Sequence, residues 1–459
     1  MPPTTIAGQP DGRAISVPAP AAVRAPATAG LGLGRLVVAT FFMVSGGAYG
    51  TEDIVRGGYG LALIVLILTP LVWSLPTALM IGELSAALPA EGGYYAWVRR
   101  ALGPCWGFQE AWLSLAASVF DMAIYPTLFV AYLARLFPWF SVGHRGTLVG
   151  IALVAVCAAM NLAGIRLVIT SSLWLFALLS APFAVIVLWA PFARGALAAA
   201  ATPGGAELGL LGGLGVAMWN YMGWDNASTI AGEVRQPRRT YPRAMLAGVA
   251  LVTLSYALPV AAMAWTGAPP AAFTTGSWAD LAGLLAGPWL RVWLVAGGMM
   301  SALGMFNALV LSYSRVPLAM ARDGLLPACF ARVGRRRGAP WVAIVALAVG
   351  WALCVGIGFE RLVTLDVMLY GVALLLEFIS LVVLRVMEPA LPRPFRVPGG
   401  IAGAVIAGVL PALLLGVAVW SGGQERILGV NALWLGAALF VAGFGAYAVQ
   451  RRMVSGSRL

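Results

Sequence analysis

Carboxylates stand close to glycines at two places where long apolar stretches of this sequence are interrupted. The first interruption covers residues 45–53 and ends in Glu52 and Asp53, and the second covers residues 219–226 and contains Asp225. Unwound backbone at the depth of a bilayer persists only where it lines a cavity, because its N–H and C=O groups lack helical partners. Paired interruptions in corresponding segments are typical of a transporter's substrate site, and the acids predict a cationic substrate.

Composition independently indicates a membrane protein. Hydrophobic residues make up 61% and charged residues 10% of the 459 residues, whereas soluble domains carry about 25% charged residues. The four cysteines, Cys105, Cys157, Cys329 and Cys354, form no CxxC pair, so neither a disulfide framework nor a zinc site is indicated. We expect no cofactor and no metal site, and as partners a small cationic substrate and membrane lipid.

Twelve apolar stretches reach about 20 residues, the length that a helix needs to cross a bilayer. These predicted spans are residues 33–58, 61–88, 104–137, 147–164, 168–191, 208–232, 243–266, 288–321, 339–358, 361–387, 402–421 and 429–449. The interruptions lie in spans one and six, an offset of five that indicates two five-helix repeats of inverted topology. The predicted organisation is a disordered tail (1–32), the first repeat (33–191), the second repeat (208–387), two additional spans (402–449) and a second tail (450–459).

Arginine placement predicts the orientation in the membrane. All 29 basic residues are arginines, and the densest clusters lie in residues 235–243 and 332–337. With both termini in the cytoplasm, both clusters face the cytoplasm, as the positive-inside rule requires. This placement accounts for the net charge of +12 without a nucleic-acid partner. We expect a multi-pass protein of the plasma membrane, and as that membrane a bacterial inner membrane.

Several motifs resemble a known superfamily of transporters. Residues 91–97 and 102–110 look like the loop after the second helix of amino acid–polyamine–organocation (APC) transporters. Stretches similar to the polyamine uptake branch are residues 120–126, 219–229, 231–234 and 369–378. The resemblance runs from about residue 33 to about residue 400. It implies an all-α, LeuT-type fold of twelve helices with helices 1 and 6 broken, and proton-coupled import of polyamines such as putrescine or spermidine by alternating access.

The first interruption predicts part of the substrate site. In amino-acid carriers of this superfamily, a break such as Gly46-Gly47 offers N–H groups to a substrate carboxylate. Here a new half-helix restarts near Tyr49, and Glu52 and Asp53 lie in its first turn, where the helix N-terminus carries about +0.5 charge. These anions favour an ammonium over a carboxylate. The alternative is that the helix ends here, leaving both acids in an outer loop.

Asp121 lies in the middle of the third span without a nearby arginine. A lone aspartate at the bilayer centre costs about 2.5–3.5 kcal/mol, so a cation, a proton or a hydrogen-bonding pocket must offset it. Tyr125 shares its helical face and would add a cation–π contact to an amine. A protonated Asp121 bonded to a neighbouring helix is the alternative.

The second interruption repeats this chemistry. Trp219 and Trp224 would form aromatic walls, Asn220 would donate and accept, and Asp225 supplies a further carboxylate. Tyr370 in span ten is a further predicted wall residue. Packing or interface anchoring is the alternative for each tryptophan.

Gating and ion coupling rest on four polar residues. Glu233 precedes a cytoplasmic arginine cluster and suits a gate ion pair, whereas Glu377, among leucines of span ten, suits either a proton path or a gate pair. Ser312 and Ser314 could supply sodium-ligating hydroxyls, with polar packing between helices as the alternative. We expect protons rather than sodium to be the coupling ion.

Other functions remain open at this stage. An amino-acid carrier of the same superfamily is the first alternative, and a ligand-binding membrane sensor is the second. Tyr313 and Arg315 depart from the polyamine branch, and Arg315 would repel a polyamine unless it faces the cytoplasm. No enzyme is indicated, because the single histidine, His144, lies in a predicted outer loop without an acid or nucleophile nearby.

Overall fold

The computed structural model describes residues 31–90, 92–164, 167–198, 210–334, 338–422, 426–427 and 429–456, and these residues are mostly helical. The α-helices, in chain order, are α1 (Leu33–Val44), α2 (Glu52–Val55), α3 (Tyr59–Thr69), α4 (Leu75–Ala87), α5 (Tyr94–Leu102), α6 (Pro104–Leu136), α7 (Arg145–Leu162), α8 (Leu167–Trp189), α9 (Leu210–Asn220), α10 (Pro237–Thr266), α11 (Trp278–Ala286), α12 (Pro288–Tyr313), α13 (Arg315–Arg322), α14 (Trp341–Cys354), α15 (Phe359–Met387), α16 (Gly400–Gly422) and α17 (Ala432–Gly456). A π-helical turn, Pro70–Ser74, joins α3 to α4, and the two-residue strands β1 (Arg426–Ile427) and β2 (Val430–Asn431) form an antiparallel hairpin before α17.

Nine helical segments of the described chain are long and apolar enough to cross a membrane. They are Tyr59–Ala87, Pro104–Leu136, Arg145–Leu162, Trp174–Phe192, Pro237–Thr266, Pro288–Arg322, Phe359–Met387, Gly400–Gly422 and Ala432–Arg452. Each of these nine overlaps one of the predicted spans. The predicted spans at 33–58 and 339–358 contain shorter apolar helices, α1 and α14, and the span at 208–232 is interrupted.

Large apolar side chains of the described residues are exposed on the outer surface. Trp174 is 84% exposed, Phe192 is 88% exposed and Trp420 is 75% exposed. Soluble monomers rarely expose large continuous apolar surfaces, and such surfaces mark contact with a membrane or a partner. Together with the apolar helices, this surface identifies a multi-pass membrane protein.

The first interruption forms an unwound loop between α1 and α2. Ser45 is extended (φ −141°), and Gly47 and Gly50 adopt positive φ angles of 99° and 87°. Glycine suits these two positions because L side chains disfavour that region. The predicted break is therefore present, but α2 restarts at Glu52 rather than near Tyr49 and is a single turn.

The second interruption touches the first through the backbone. The α9 helix ends at Asn220, and residues Trp224–Glu233 continue as a 3₁₀ helix. A Cβ atom on Gly223 (φ +87°) would lie 2.6 Å from the carbonyl oxygen of Met43, so only glycine permits this approach. The Asn220 side-chain amide donates to the Gly50 carbonyl at 3.2 Å. The two breaks therefore form one unit.

Three long helices, α6, α12 and α15, surround that unit. Both α12 and α15 pack along α6. At one end of the molecule Leu31 pairs with Val234 as an isolated parallel bridge, and the Arg235 N–H donates to the Leu31 carbonyl at 2.9 Å. Of the predicted tails, residues 1–30 and 457–459 lie outside the described residues, whereas α17 extends as a helix to Gly456.

Candidate substrate-binding site

A small cavity lies where the two breaks meet α6, α12 and α15. Its lining residues are Met43, Val44, Asp121, Tyr125, Trp219, Met222, Gly223, Asn226, Tyr313, Asp366 and Tyr370. The carboxyl-bearing residues Asp121 and Asp366 are only 6% and 2% exposed. Both carboxylates are therefore largely shielded from the surroundings of the protein in this conformation.

Asp121 on α6 accepts hydrogen bonds from three neutral groups. Its Oδ1 accepts from the Tyr125 hydroxyl at 2.9 Å and from the Trp219 indole N–H at 3.2 Å, and its Oδ2 accepts from the Tyr313 hydroxyl at 3.2 Å. Residues four apart face the same side of a helix, which brings Tyr125 to Asp121. None of these donors carries a charge, so an ammonium in the cavity would supply the missing countercharge.

Asp366 on α15 contributes a second carboxylate that sequence reasoning missed. It lines the cavity, and no hydrogen-bond donor reaches it from the part of the chain that the structure describes. Asp366 precedes Tyr370 by four residues, the same spacing that joins Asp121 to Tyr125. This repeated Asp-x-x-x-Tyr pattern in two apolar spans was the available signal.

Asp225 is not part of the cavity lining, but it is bound by Tyr370, which lines the cavity. The Tyr370 hydroxyl donates to Asp225 Oδ1 at 2.5 Å and accepts from the Gly223 N–H at 3.1 Å. Tyr370 thus forms a wall of the cavity and links it to a third carboxylate.

Glu52 lies outside the cavity lining, and its oxygens are already occupied. Oε1 accepts from the Tyr132 hydroxyl at 2.5 Å and from the Gly276 N–H at 2.9 Å, and Oε2 accepts from the Gly50 N–H at 2.8 Å. Gly276 belongs to the loop before α11, so Glu52 fastens this loop over the first break. A substrate-binding role for Glu52 stays a prediction that these contacts do not favour.

Asp53 also holds the loop before α11 against the first break. It accepts a hydrogen bond from the Thr275 hydroxyl at 2.9 Å and pairs with Arg56 at 3.4 Å. Arg56 in turn lies 3.7 Å from Glu360 at the start of α15. The first break, the loop before α11 and α15 are thereby tied together.

Five other residues predicted to bind substrate lie outside the lining: Gly46, Gly47, Tyr49, Asn220 and Trp224. The Gly46 carbonyl accepts from the Ser301 hydroxyl at 2.8 Å, and the Tyr49 hydroxyl donates to the Leu179 carbonyl at 3.4 Å. The Trp224 indole N–H donates to a backbone carbonyl 2.8 Å away. These contacts hold the breaks in shape.

The residues proposed for ion coupling have mixed surroundings. The Ser312 hydroxyl donates to Asn226 Oδ1 at 2.6 Å, and the Ser314 hydroxyl contacts the Leu311 carbonyl at 3.4 Å. The side chain of Glu233 lies outside the described residues. Among those described, no group of three or more His, Cys, Asp or Glu side chains could hold a metal ion.

The two residues that depart from the polyamine branch, of which Arg315 was expected to repel a polyamine, have separate locations. Tyr313 lines the cavity as a donor to Asp121, whereas Arg315 is absent from the lining and its guanidinium donates to the Thr229 carbonyl at 3.2 Å. The lining, as described, therefore contains two carboxylates, four aromatic side chains and no basic side chain.

Comparison with known proteins places these features in context. Residues 37–441 match the family described as Amino acid permease. The chain is 38% identical over 421 residues to Polyamine transporter PUT1 of Oryza sativa subsp. japonica, covering 90% of this chain and 77% of that protein. It is 36% identical over 389 residues to Polyamine transporter RMV1 of Arabidopsis thaliana, covering 83% and 78%. An uncharacterized transporter of Mycobacterium tuberculosis is 29% identical over 423 residues, covering 87% and 90%.

Proposed function

Because this chain belongs to the amino acid permease family and is a transporter rather than an enzyme, we propose that it imports polyamines such as putrescine or spermidine by alternating access. The observation that carries this proposal is the cavity lining, in which Asp121 and Asp366 border the same space without a basic side chain beside them. Two ammonium groups of one polyamine match two such carboxylates. The polyamine transporters among the relatives support the same substrate class.

The aromatic lining adds to this selectivity. Trp219, Tyr125, Tyr313 and Tyr370 surround the cavity, and an aromatic face attracts an ammonium by about 0.5–2 kcal/mol. A zwitterionic amino acid would bring its carboxylate into a space that already holds two, and like charges in a desolvated site repel. An amino-acid carrier is therefore the weaker alternative.

The architecture that we propose is the twelve-helix, LeuT-type arrangement of two inverted five-helix repeats followed by two helices. Its support is the contact between the break after α1 and the break after α9, since discontinuous helices meet at the substrate site in such carriers. The predicted boundaries, 33–191 and 208–387 for the repeats, follow from that pairing. The arginine clusters support the proposed orientation with both termini in the cytoplasm, and a bacterial inner membrane remains the predicted location.

We assign the conformation as occluded. On the proposed outer side, Glu52 and Asp53 hold the loop before α11 over the first break. On the proposed inner side, Asp323 after α13 binds Arg99 at 2.6 Å and the Tyr95 hydroxyl at 2.8 Å. Opening to either side requires one of these contacts to break while the other persists.

The membrane potential supplies a driving force for import. An inside-negative potential favours entry of each positive charge by about 2.3 kcal/mol per 100 mV. A polyamine with several charges therefore accumulates even before a coupling ion contributes. A proton adds to this gradient, and its site is treated below.

The test is ligand-dependent thermal stability of the purified protein. A ligand that binds only the folded state raises the apparent stability, so putrescine and spermidine should raise the melting temperature and neutral amino acids should not. Asp121→Asn should abolish the shift, whereas Glu388→Gln, which changes a surface carboxylate, should retain it. Stabilisation by amino acids instead of amines would establish the amino-acid carrier.

A further inference from the structure

Beneath the cavity lies a second group of buried acids that the substrate site does not use. Glu110 on α6 is 0% exposed, Glu377 on α15 is 1% exposed, and Tyr94 at the start of α5 is 0% exposed. One carboxylate oxygen of each glutamate, Oε2, lacks a hydrogen-bond partner in the described chain, and so does the Tyr94 hydroxyl. Buried polar groups without partners are rare in native proteins.

The helices that carry these three side chains, α5, α6 and α15, all pack against one another. The Tyr94 hydroxyl interacts electrostatically with Glu110, Glu377 and Asp225, and Glu377 interacts with Glu110 and Asp225. A neutral hydroxyl without a hydrogen-bond partner therefore lies near a group of buried acids. The cluster also borders the cavity, because Tyr370 binds Asp225 and interacts with Glu377.

The charged and titratable groups around the cluster come from four elements. Tyr94 and Tyr95 face it from α5, and Asp225 faces it from the segment after the second break. Tyr370 faces Glu377 along α15, and on α6 the only polar partner of Glu110 is Ser114, whose hydroxyl donates to Oε1 at 2.7 Å. No arginine of the described residues interacts electrostatically with the carboxylate of Glu110 or Glu377. The cluster is therefore uncompensated by protein charge.

Two ionised carboxylates cannot stay together here without a cation. Each costs about 2.5–3.5 kcal/mol at the centre of a bilayer on insertion scales, and two in one site repel each other. An amine would need a cavity beside Glu110 and Glu377, yet both side chains are almost completely enclosed by protein. A proton needs no cavity.

We propose that Glu110 and Glu377 hold the proton that is co-transported with the substrate. The proton binds to an unpartnered carboxylate oxygen of the pair and neutralises that carboxylate, and the nearby Tyr94 hydroxyl is the neutral group that influences its affinity. It leaves to the cytoplasm when the seal between Asp323 and α5 opens. This inference rests on the proposed polyamine transport and locates its coupling ion.

Neutralisation couples the proton to the substrate. A polyamine compensates Asp121 and Asp366 in the cavity, but it leaves the Glu110–Glu377 pair charged. Reorientation with bare intramembrane carboxylates is unfavourable, so the occluded state forms when polyamine fills the cavity and a proton occupies the pair. Substrate and proton then cross together.

The experiment uses the full-length protein in proteoliposomes with an internal pH indicator. In the wild type, an inward pH gradient at zero membrane potential should drive putrescine accumulation, and putrescine addition should carry protons inward. Glu377→Gln and Glu110→Gln should keep putrescine-induced thermal stabilisation and uptake driven by an inside-negative potential. Both variants should lose accumulation driven by the pH gradient and lose proton influx. Glu388→Gln, an identical change at the surface, should behave like the wild type.

Three outcomes would overturn the inference. Proton influx retained in either glutamine variant would place the proton elsewhere, and loss of putrescine binding would make the pair part of the substrate site. A wild-type protein that binds and transports putrescine without proton movement would exclude a proton site while leaving polyamine transport intact. If a glutamine variant does not fold, Tyr94→Phe provides the test, because removing its hydroxyl should shift the pH dependence of uptake without changing putrescine binding. By contrast, a wild type that fails to bind polyamines would refute the proposed function itself.

Discussion

Two buried carboxylates of this protein have opposite surroundings. Glu83 on α4 is 0% exposed and accepts hydrogen bonds from Arg385, whose Nε lies 2.9 Å from Oε1, while Arg393 Nε lies 3.3 Å from the same oxygen. The Val397 N–H donates to Oε2 at 2.7 Å. Asp366 on α15 is 2% exposed and has no such donor in the described chain. The two carboxylates are almost equally buried, but only Glu83 has hydrogen-bond donors and positive charges beside it in the described chain.

The difference separates a structural acid from an acid that is available to a ligand. Glu83 joins α4, the end of α15 and the segment that follows it, and its charge is matched by two guanidinium groups. Asp366 faces an enclosed space, and its charge is matched by nothing that the described residues supply. An uncompensated carboxylate in a membrane indicates function by default, and this contrast identifies which of the many buried acids deserve that interpretation.

The largest expected effect is on the structural side of the comparison. Glu83→Gln leaves Arg385 and Arg393, which are 7% and 4% exposed, without their countercharge. Breaking a buried pair by removing one partner costs about 3–5 kcal/mol. We expect a large fall in melting temperature or in folded yield. A variant as stable as the wild type would show that the compensated acid is dispensable.

Asp366→Asn should have the reverse profile. Its carboxylate has no protein partner to lose, so the melting temperature should be unchanged or higher. Loss of one member of a desolvated charge pair with the substrate should cost about 2–5 kcal/mol of binding free energy, or about thirty- to several-thousand-fold in affinity. Equilibrium binding of labelled putrescine measures this loss. Unchanged affinity would remove Asp366 from the site.

A smaller effect distinguishes aromatic residues inside and outside the cavity. Trp219→Leu should weaken polyamine binding by about 0.5–2 kcal/mol and also removes a donor to Asp121. Trp224→Leu is the matched control, because Trp224 is 0% exposed, lies outside the lining and should lower stability instead of affinity. Equal losses of affinity in both variants would contradict the observed lining.

The smallest effect concerns an exposed ion pair. Arg100 donates to both oxygens of Glu388 at 2.9 and 2.7 Å, and this hydrogen bonding lowers the pKa of Glu388 below its usual 4.5. Because the folded-state pKa is depressed, the stabilisation is complete above about pH 4.5 and is lost as pH falls through the lower folded value. Glu388→Gln should remove this part of the acid dependence of the melting temperature. An identical acid profile in the variant would assign no stability to the pair.

Local sequence features predicted the apolar helices and the two breaks. Glycine runs and charges inside apolar stretches act within a few residues, so their positions can be read along the chain. Tertiary contacts could not be read in this way. Glu52 was predicted to bind substrate, yet its partners Tyr132 and Gly276 are 80 and 224 residues distant in sequence. A carboxylate that faces a cavity and one that fastens a loop are indistinguishable before those partners are known.

Asp366 shows a different kind of failure, because its signal was local. An aspartate precedes a tyrosine by four residues both at Asp121 and at Asp366, but the prediction used this spacing only at Asp121. The surroundings of Glu377 could not be inferred from its leucine neighbours, because they include Glu110 on α6, a helix that is distant in sequence but packs along α15. Burial of acids in pairs is a property of packing rather than of either sequence segment.

The hydrogen bond from Trp219 to Asp121 places a fluorescent side chain at the substrate site. The indole is the only one in the described cavity lining, and its N–H donates to Asp121, the carboxylate that an ammonium would bind. Its fluorescence should therefore respond to occupancy, against a constant background from the other tryptophans among the 17 of the chain. A difference spectrum between the wild type and Trp219→Phe would then report binding in real time, without a labelled substrate.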